Sequence, residues 1–249
     1  MSSETRPPHA AGHDPSMLSG PSVPAAAMGQ AGLLCAIAGY VDAIGYVTLG
    51  HVFPANMTGN TVLVAVAALQ GEWLRVANQA VTLAAFFVGA ILAHVLGRAS
   101  GRPALPFLAE AGLLAAVAAA PPPQTAALAL LAVAMGLQSG AQGRFGAATL
   151  QTVVVTGTMT RLAINLVDTA AVLLAGAGRQ RNRASYRQPP PPPLAIYALA
   201  WIAYGIGAAI GAAAVRHTSA PLAISAALLV VMTGIGTARR RIAQRQQET

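Results

Sequence analysis

The stretch Gly32 to Val52, GLLCAIAGYVDAIGYVTLGHV, is predominantly apolar and carries Asp42 near its middle. Its length matches the roughly 20 residues a helix needs to cross the hydrocarbon core of a bilayer. A carboxylate at such a depth costs a few kcal/mol, so the residue is expected to face a polar cavity or a partner charge. Asp42 is therefore the first place to look for function.

The rest of the chain carries the same signature. It is 55% hydrophobic and 9% charged, with a mean hydropathy of +0.58, which leaves too little polar surface to cover a soluble fold. The class is all-α, a polytopic helical membrane protein of about six to eight spans whose first partner is the lipid bilayer. The formal charge of +8 comes from arginine alone, and most arginines flank apolar segments. With aromatics at 5%, nothing resembles a base-stacking basic surface, so nucleic acid is not an expected partner. The one cysteine, Cys35, has no internal disulfide partner.

Residues 1–27 are rich in Ser, Pro, Ala and Gly, lack the apolar core of a signal peptide, and read as a disordered tail. The membrane domain is 28–237, with apolar segments at 28–52, 55–71, 77–97, 105–120, 125–142, 150–176, 194–215 and 219–237. Segment 55–71 opens on the polar run Asn56 to Thr61, and 105–120 is short and contains Glu110. Either suits a re-entrant or half-helix element. Residues 178–193 form a basic loop ending in five prolines, Pro189 to Pro193, and 238–249 are a basic tail. Eight spans with the N-terminus inside place Arg6, Arg75, Arg179, Arg181, Arg183, Arg187, Arg239, Arg240, Arg241 and Arg245 on one face. Arg98, Arg102, Arg144 and Arg216 fall on the other, which favours cytoplasmic termini in a bacterial inner membrane.

The chain also reads as a duplication, with halves of about 28–120 and 125–237. Gly39 stands before Thr58-Gly59 as Gly136 stands before Thr156-Gly157, and Gly89 precedes Arg98 by the interval at which Gly207 precedes Arg216. Four spans per half would make the repeats parallel, and three would make them inverted.

The run GYVDAIGYVTLGHVFPANMTGNTV, answered by GLQSGAQ and TVVVTGTMT, resembles the YoaK-like family of small bacterial multi-spanning membrane proteins, over roughly residues 30–238. The matching positions are Gly39, Asp42, Phe53, Thr58, Gly59 and Asn60, then Gly136, Gln138, Thr156 and Gly157. The resemblance implies an integral inner-membrane protein of about six spans and no particular substrate.

Thr58, Asn60, Thr61, Thr156, Thr158 and Thr160 place hydroxyl and amide groups near the starts of two segments, beside Gly59 and Gly157. A helix that begins within the membrane presents free N–H groups and a positive dipole end, which suits an anionic group; the plainer reading is small-residue helix packing. Arg161, Asn165 and Asp168 share one helical face. Arg161 is expected to pair with Asp42, either as part of a pathway or as a fixed structural ion pair. His94 reads as interfacial, and Glu110 as a partner of Arg98 or Arg102.

No metal motif, cofactor motif or enzyme motif occurs, and the loops leave no room for a soluble catalytic domain. The expected function is non-enzymatic: a small-solute or ion transporter, with proton coupling through Asp42 as one form of it. The candidate pathway comprises Asp42, Thr58, Gly59, Asn60, Gln138, Thr156, Gly157, Thr158, Arg161, Asn165 and Asp168. The alternative is a non-transporting membrane scaffold or assembly factor. The oligomeric state is not legible.

Overall fold

Helix α1 (Ala25–Thr48) lies at the heart of the bundle, with twelve of its residues buried. The computed structural model describes residues 24–141, 144–145, 148–149, 159–160, 162–164, 166–167 and 194–247. After α1 come α2 (Met57–Leu69), α3 (Trp73–Ser100), α4 (Leu105–Ala119) and α5 (Gln124–Ala141). A two-residue antiparallel pairing, Arg144–Phe145 with Ala148–Thr149, follows. The last helices are α6 (Leu194–His217) and α7 (Leu222–Gln247). Among the described residues, five helices are long and apolar enough to cross a membrane, while α2 and α4 are shorter. The final helix runs on through the basic stretch after 238.

Glycines set how closely these helices approach. Packing alone, without a hydrophobic drive, must hold helices together in lipid, and small residues allow it. A Cβ at Gly39 would lie 2.1 Å from the carbonyl oxygen of Tyr204, and one at Gly207 would lie 2.0 Å from that of Ala36. Farther along, Gly211 meets Tyr40, and Gly32 meets Leu199 toward the start. Contacts that advance together on both helices mean that α1 and α6 run parallel. The pair α3 and α5 is built the same way. A Cβ at Gly136 would lie 2.2 Å from the Phe86 carbonyl oxygen and one at Gly89 would lie 2.3 Å from that of Val133, while Thr125 bonds Asn78 near the start of both helices.

Helix α5 opposes α1: Gln124 donates to the Leu49 carbonyl, and Gln138, near the other end of α5, donates to that of Leu34. These directions define two ends of the bundle. The terminal face holds the start of α1, the ends of α3 and α5, the start of α6 and the end of α7. The opposite face holds the end of α1 and the starts of α3, α5 and α7. Because α3 and α5 are parallel, α4 must return across the bundle between them. Its 15 residues are about 22 Å long, and it packs on α5 and α7.

Helix α2 makes no net crossing, since α1 ends and α3 begins at the same face. This corrects the eight-span assignment of the arginines. Arg75 lies at the opposite face with Arg216, while Arg98 and Arg102 lie at the terminal face. His94, on the last turns of α3, moves with them. Apolar side chains left facing outward, such as Phe87, Ile91, Trp201, Ile206 and Ile210, are the surface such a bundle offers to lipid.

Candidate functional site

The chain turns sharply after α1. Gly50 and His51 both take left-handed backbone conformations, with φ of 77° and 61°, and send the chain back down beside the helix it has just left. Gly45 makes room for that return, because a Cβ there would sit 2.4 Å from Cδ of Pro54. Tyr46 stacks on Phe53 and meets His51 edge-on, both with centroids 4.8 Å apart. The returning segment ends at Asn56, whose side chain caps α2 by accepting from the N–H of Gly59 at 3.0 Å. This is a re-entrant element, one of the two forms the polar run allowed.

Asp42 receives the end of that element. Its Oδ1 accepts the N–H of Ala55 at 2.6 Å and that of Asn56 at 3.3 Å. Its Oδ2 accepts the hydroxyl of Tyr204 on α6 at 2.6 Å. Only 2% of the residue is exposed. The carboxylate thus faces the positive end of α2, where backbone dipoles favour negative charge. It lies six residues before Thr48, about 9 Å from the end of α1, closer to the opposite face than its place in the apolar run implied.

Asn60 closes the loop from the other side. It is fully buried, accepts from the Phe53 N–H at 3.0 Å and donates to the Phe53 carbonyl at 2.5 Å. Phe53, held through both backbone groups, fixes the path of Pro54 and Ala55 toward Asp42. Gly59 is packed beside Asn56 and Phe53, where a Cβ would meet atoms at 3.0 and 3.3 Å. Above this region, an open depression of about 440 Å³ on the opposite face is lined by residues including Tyr46, His51, Leu63, Arg75, Asn78 and Gln124.

The site thus gathers Asp42, Asn60 and Gly59, and adds Tyr204, Ala55 and Asn56, which the sequence reading missed. Thr58 is exposed on the first turn of α2 and is not brought to Asp42. Gln138 is buried on α5 near the terminal face, bonded to Leu34, away from Asp42. Thr156, Gly157, Thr158, Arg161, Asn165 and Asp168 lie outside the described residues, and so does the expected Asp42–Arg161 pair. The anionic group expected at the start of α2 is the protein's own Asp42 carboxylate. Glu110 does not pair with Arg98 or Arg102; the ion pair among the described residues joins Glu72 and Arg75.

Crossing helices, an apolar outer surface and a re-entrant half-helix held on a buried carboxylate define a multi-pass helical membrane protein. The chain belongs to the family described as "Protein of unknown function (DUF1275)", which matches residues 30–235. It is 38% identical over 141 residues to the UPF0700 transmembrane protein YoaK of Bacillus subtilis (strain 168), covering 52% of this chain. The match spans 63% of that protein's length. No solved structure matches the chain.

Proposed function

We propose that the protein is a small-solute or proton-coupled transporter of the bacterial inner membrane, built from two inverted repeats, and not an enzyme. The observation that carries this reading is the exchange of partners between the halves. Helix α1 packs on α6 as α5 packs on α3, and the contacts correspond residue by residue. Gly39 against Tyr204 matches Gly136 against Phe86, and Gly207 against Ala36 matches Gly89 against Val133. Buried positions follow the same registers. Asn78, Gln79, Thr82, Gly89 and Ala93 on α3 answer to Ile196, Tyr197, Ala200, Gly207 and Gly211 on α6. On α4, Phe107, Glu110, Ala111, Leu114 and Val117 answer to Leu222, Ser225, Ala226, Leu229 and Met232 on α7. Since α1 and α5 are antiparallel, the axis relating the halves lies in the membrane plane, an architecture that many secondary transporters share, with sites beside broken helices.

In this reading Asp42 is a latch between the halves. Its ionised carboxylate holds the start of α2, in the first half, and Tyr204, in the second. Protonation removes the charge that strengthens those three bonds, freeing the re-entrant element to move relative to α6. The matching position on α5 is Ser139 and that of Tyr204 is Phe86, so the latch exists once. The terminal face is cytoplasmic in this orientation. Among the described residues it carries Arg98, Arg102, Arg239 and Arg245, against Arg75 and Arg216 opposite.

The test is reconstitution into liposomes, with charge movement on solid-supported membranes recorded while solutes and pH are varied. A transporter gives a current in response to a solute or a proton gradient, and Asp42→Asn abolishes it while the protein stays folded. Currents no larger than those of empty liposomes across the screen would instead favour the scaffold.

A further inference from the structure

We propose that Glu110 is a second proton-binding site, on α4 near the terminal face and separate from the Asp42 latch. Glu110 is fully buried, and neither carboxyl oxygen has a hydrogen-bond partner. It lies five residues into α4, about 8 Å from the start of the helix, among inward-facing Phe107, Ala111 and Leu114. These pack in one apolar cluster with Leu131 and Met135 of α5 and Leu229 and Met232 of α7.

Among the described residues, the elements packed against α4 bring it no charge. The buried face of α7 carries Ser225 and Thr233 among apolar residues, and the Thr233 hydroxyl is spent on the carbonyls of Leu229 and Val230. The buried face of α5 is apolar apart from Gln138. On α3, His94 and Arg98 are exposed and point away from the core. On α1, Asp42 belongs to the other end of the bundle and is already held by three donors.

A buried carboxyl group without donor or countercharge is costly, because a charge removed from water needs a compensating partner. The cation that completes this site must be small enough to enter a closed apolar core. A metal ion is disfavoured, since hard cations gather six or more oxygen ligands and the neighbouring carbonyls are committed to helices. A proton needs one oxygen. Position 225, which answers to 110 in the second half, holds serine and cannot take this role, so the site, like the latch, belongs to the first half alone.

The experiment is labelling of the intact protein in membranes with dicyclohexylcarbodiimide, which adds to protonated carboxyl groups in apolar surroundings, followed by peptide mass spectrometry. Glu110 becomes labelled, the label is lost as the pH is raised, and sodium gives no protection. Glu110→Gln removes the label, and exposed Glu72 serves as the unlabelled control. The same labelling persists in Asp42→Asn, so this result stands or falls independently of the latch. Absence of label at every pH, or protection by sodium at constant pH, overturns the proposal.

Discussion

Replacing Gly207 with alanine should weaken the protein, whereas the same change two residues earlier, at Gly205, should strengthen it. A Cβ at Gly207 would lie 2.0 Å from the Ala36 carbonyl oxygen, and a carbon–oxygen contact is comfortable at roughly 3.3 Å. The two helices must therefore part by about 1.3 Å, enough to forfeit around half of the dispersion energy of the neighbouring contacts. Overpacking costs roughly 1–3 kcal/mol, and a helical carbonyl cannot swing aside, which puts this case near 3. Alanine returns about 1 kcal/mol of helix propensity, leaving a net loss of about 2 kcal/mol. Nothing lies within 4 Å of a Cβ at Gly205, so there the same propensity is a gain of about 1 kcal/mol. Unfolding in mixed detergent micelles of increasing SDS fraction, followed by circular dichroism, measures both. Midpoints that move in the same direction by the same amount would refute the packing of α1 on α6. Gly89→Ala, at the matching place between α3 and α5, should behave like Gly207→Ala.

Asp42→Ala strands the Ala55 and Asn56 N–H groups and the Tyr204 hydroxyl, and should cost roughly 3–5 kcal/mol in the same assay, while Asp42→Asn, whose amide oxygen still accepts from the backbone N–H groups and whose NH2 can donate to the Tyr204 hydroxyl oxygen, should stay within about 1 kcal/mol. Tyr204→Phe removes one hydrogen bond to a charged acceptor and should cost roughly 1.5–3 kcal/mol; no change would mean that α1 and α6 are not joined there. Topology reporters at Gly71 and Pro122 should report the periplasm and reporters at Gly101 and after Thr249 the cytoplasm, with a cytoplasmic signal at Gly71 restoring a fully spanning α2.

The sequence pointed to the bilayer and to Asp42 because both rest on strong local physics, the cost of polarity in hydrocarbon. The polar run from Asn56 similarly marked the start of α2, which the structure brings back against Asp42. The partner of Asp42 was hidden for a different reason. Tyr204 lies 162 residues away in an apolar helix where an aromatic reads as packing, and only the parallel approach of α1 and α6 brings it near. The paired glycines were visible as spacing, but spacing does not say that α1 packs on α6 and α5 on α3. Glu110 was misread because Arg98 and Arg102 are close in sequence, whereas the turn at Gly101, in a left-handed conformation, sends α4 back into the core.

Water access to Asp42 separates a transporter from a packed scaffold without knowledge of the solute. Ala55 donates to Asp42 and is 1% exposed, so a thiol introduced there by Ala55→Cys, in a Cys35→Ser background, reports on the latch. The measurement is its reaction with a membrane-impermeant methanethiosulfonate cation in oriented vesicles. Opening of the re-entrant element predicts modification that quickens as the pH falls, and that is fast and independent of pH when Asp42→Asn replaces the ionised carboxylate with a neutral side chain. A thiol that stays unreactive from both sides of the membrane, in protein that is folded and inserted, would contradict the transporter reading.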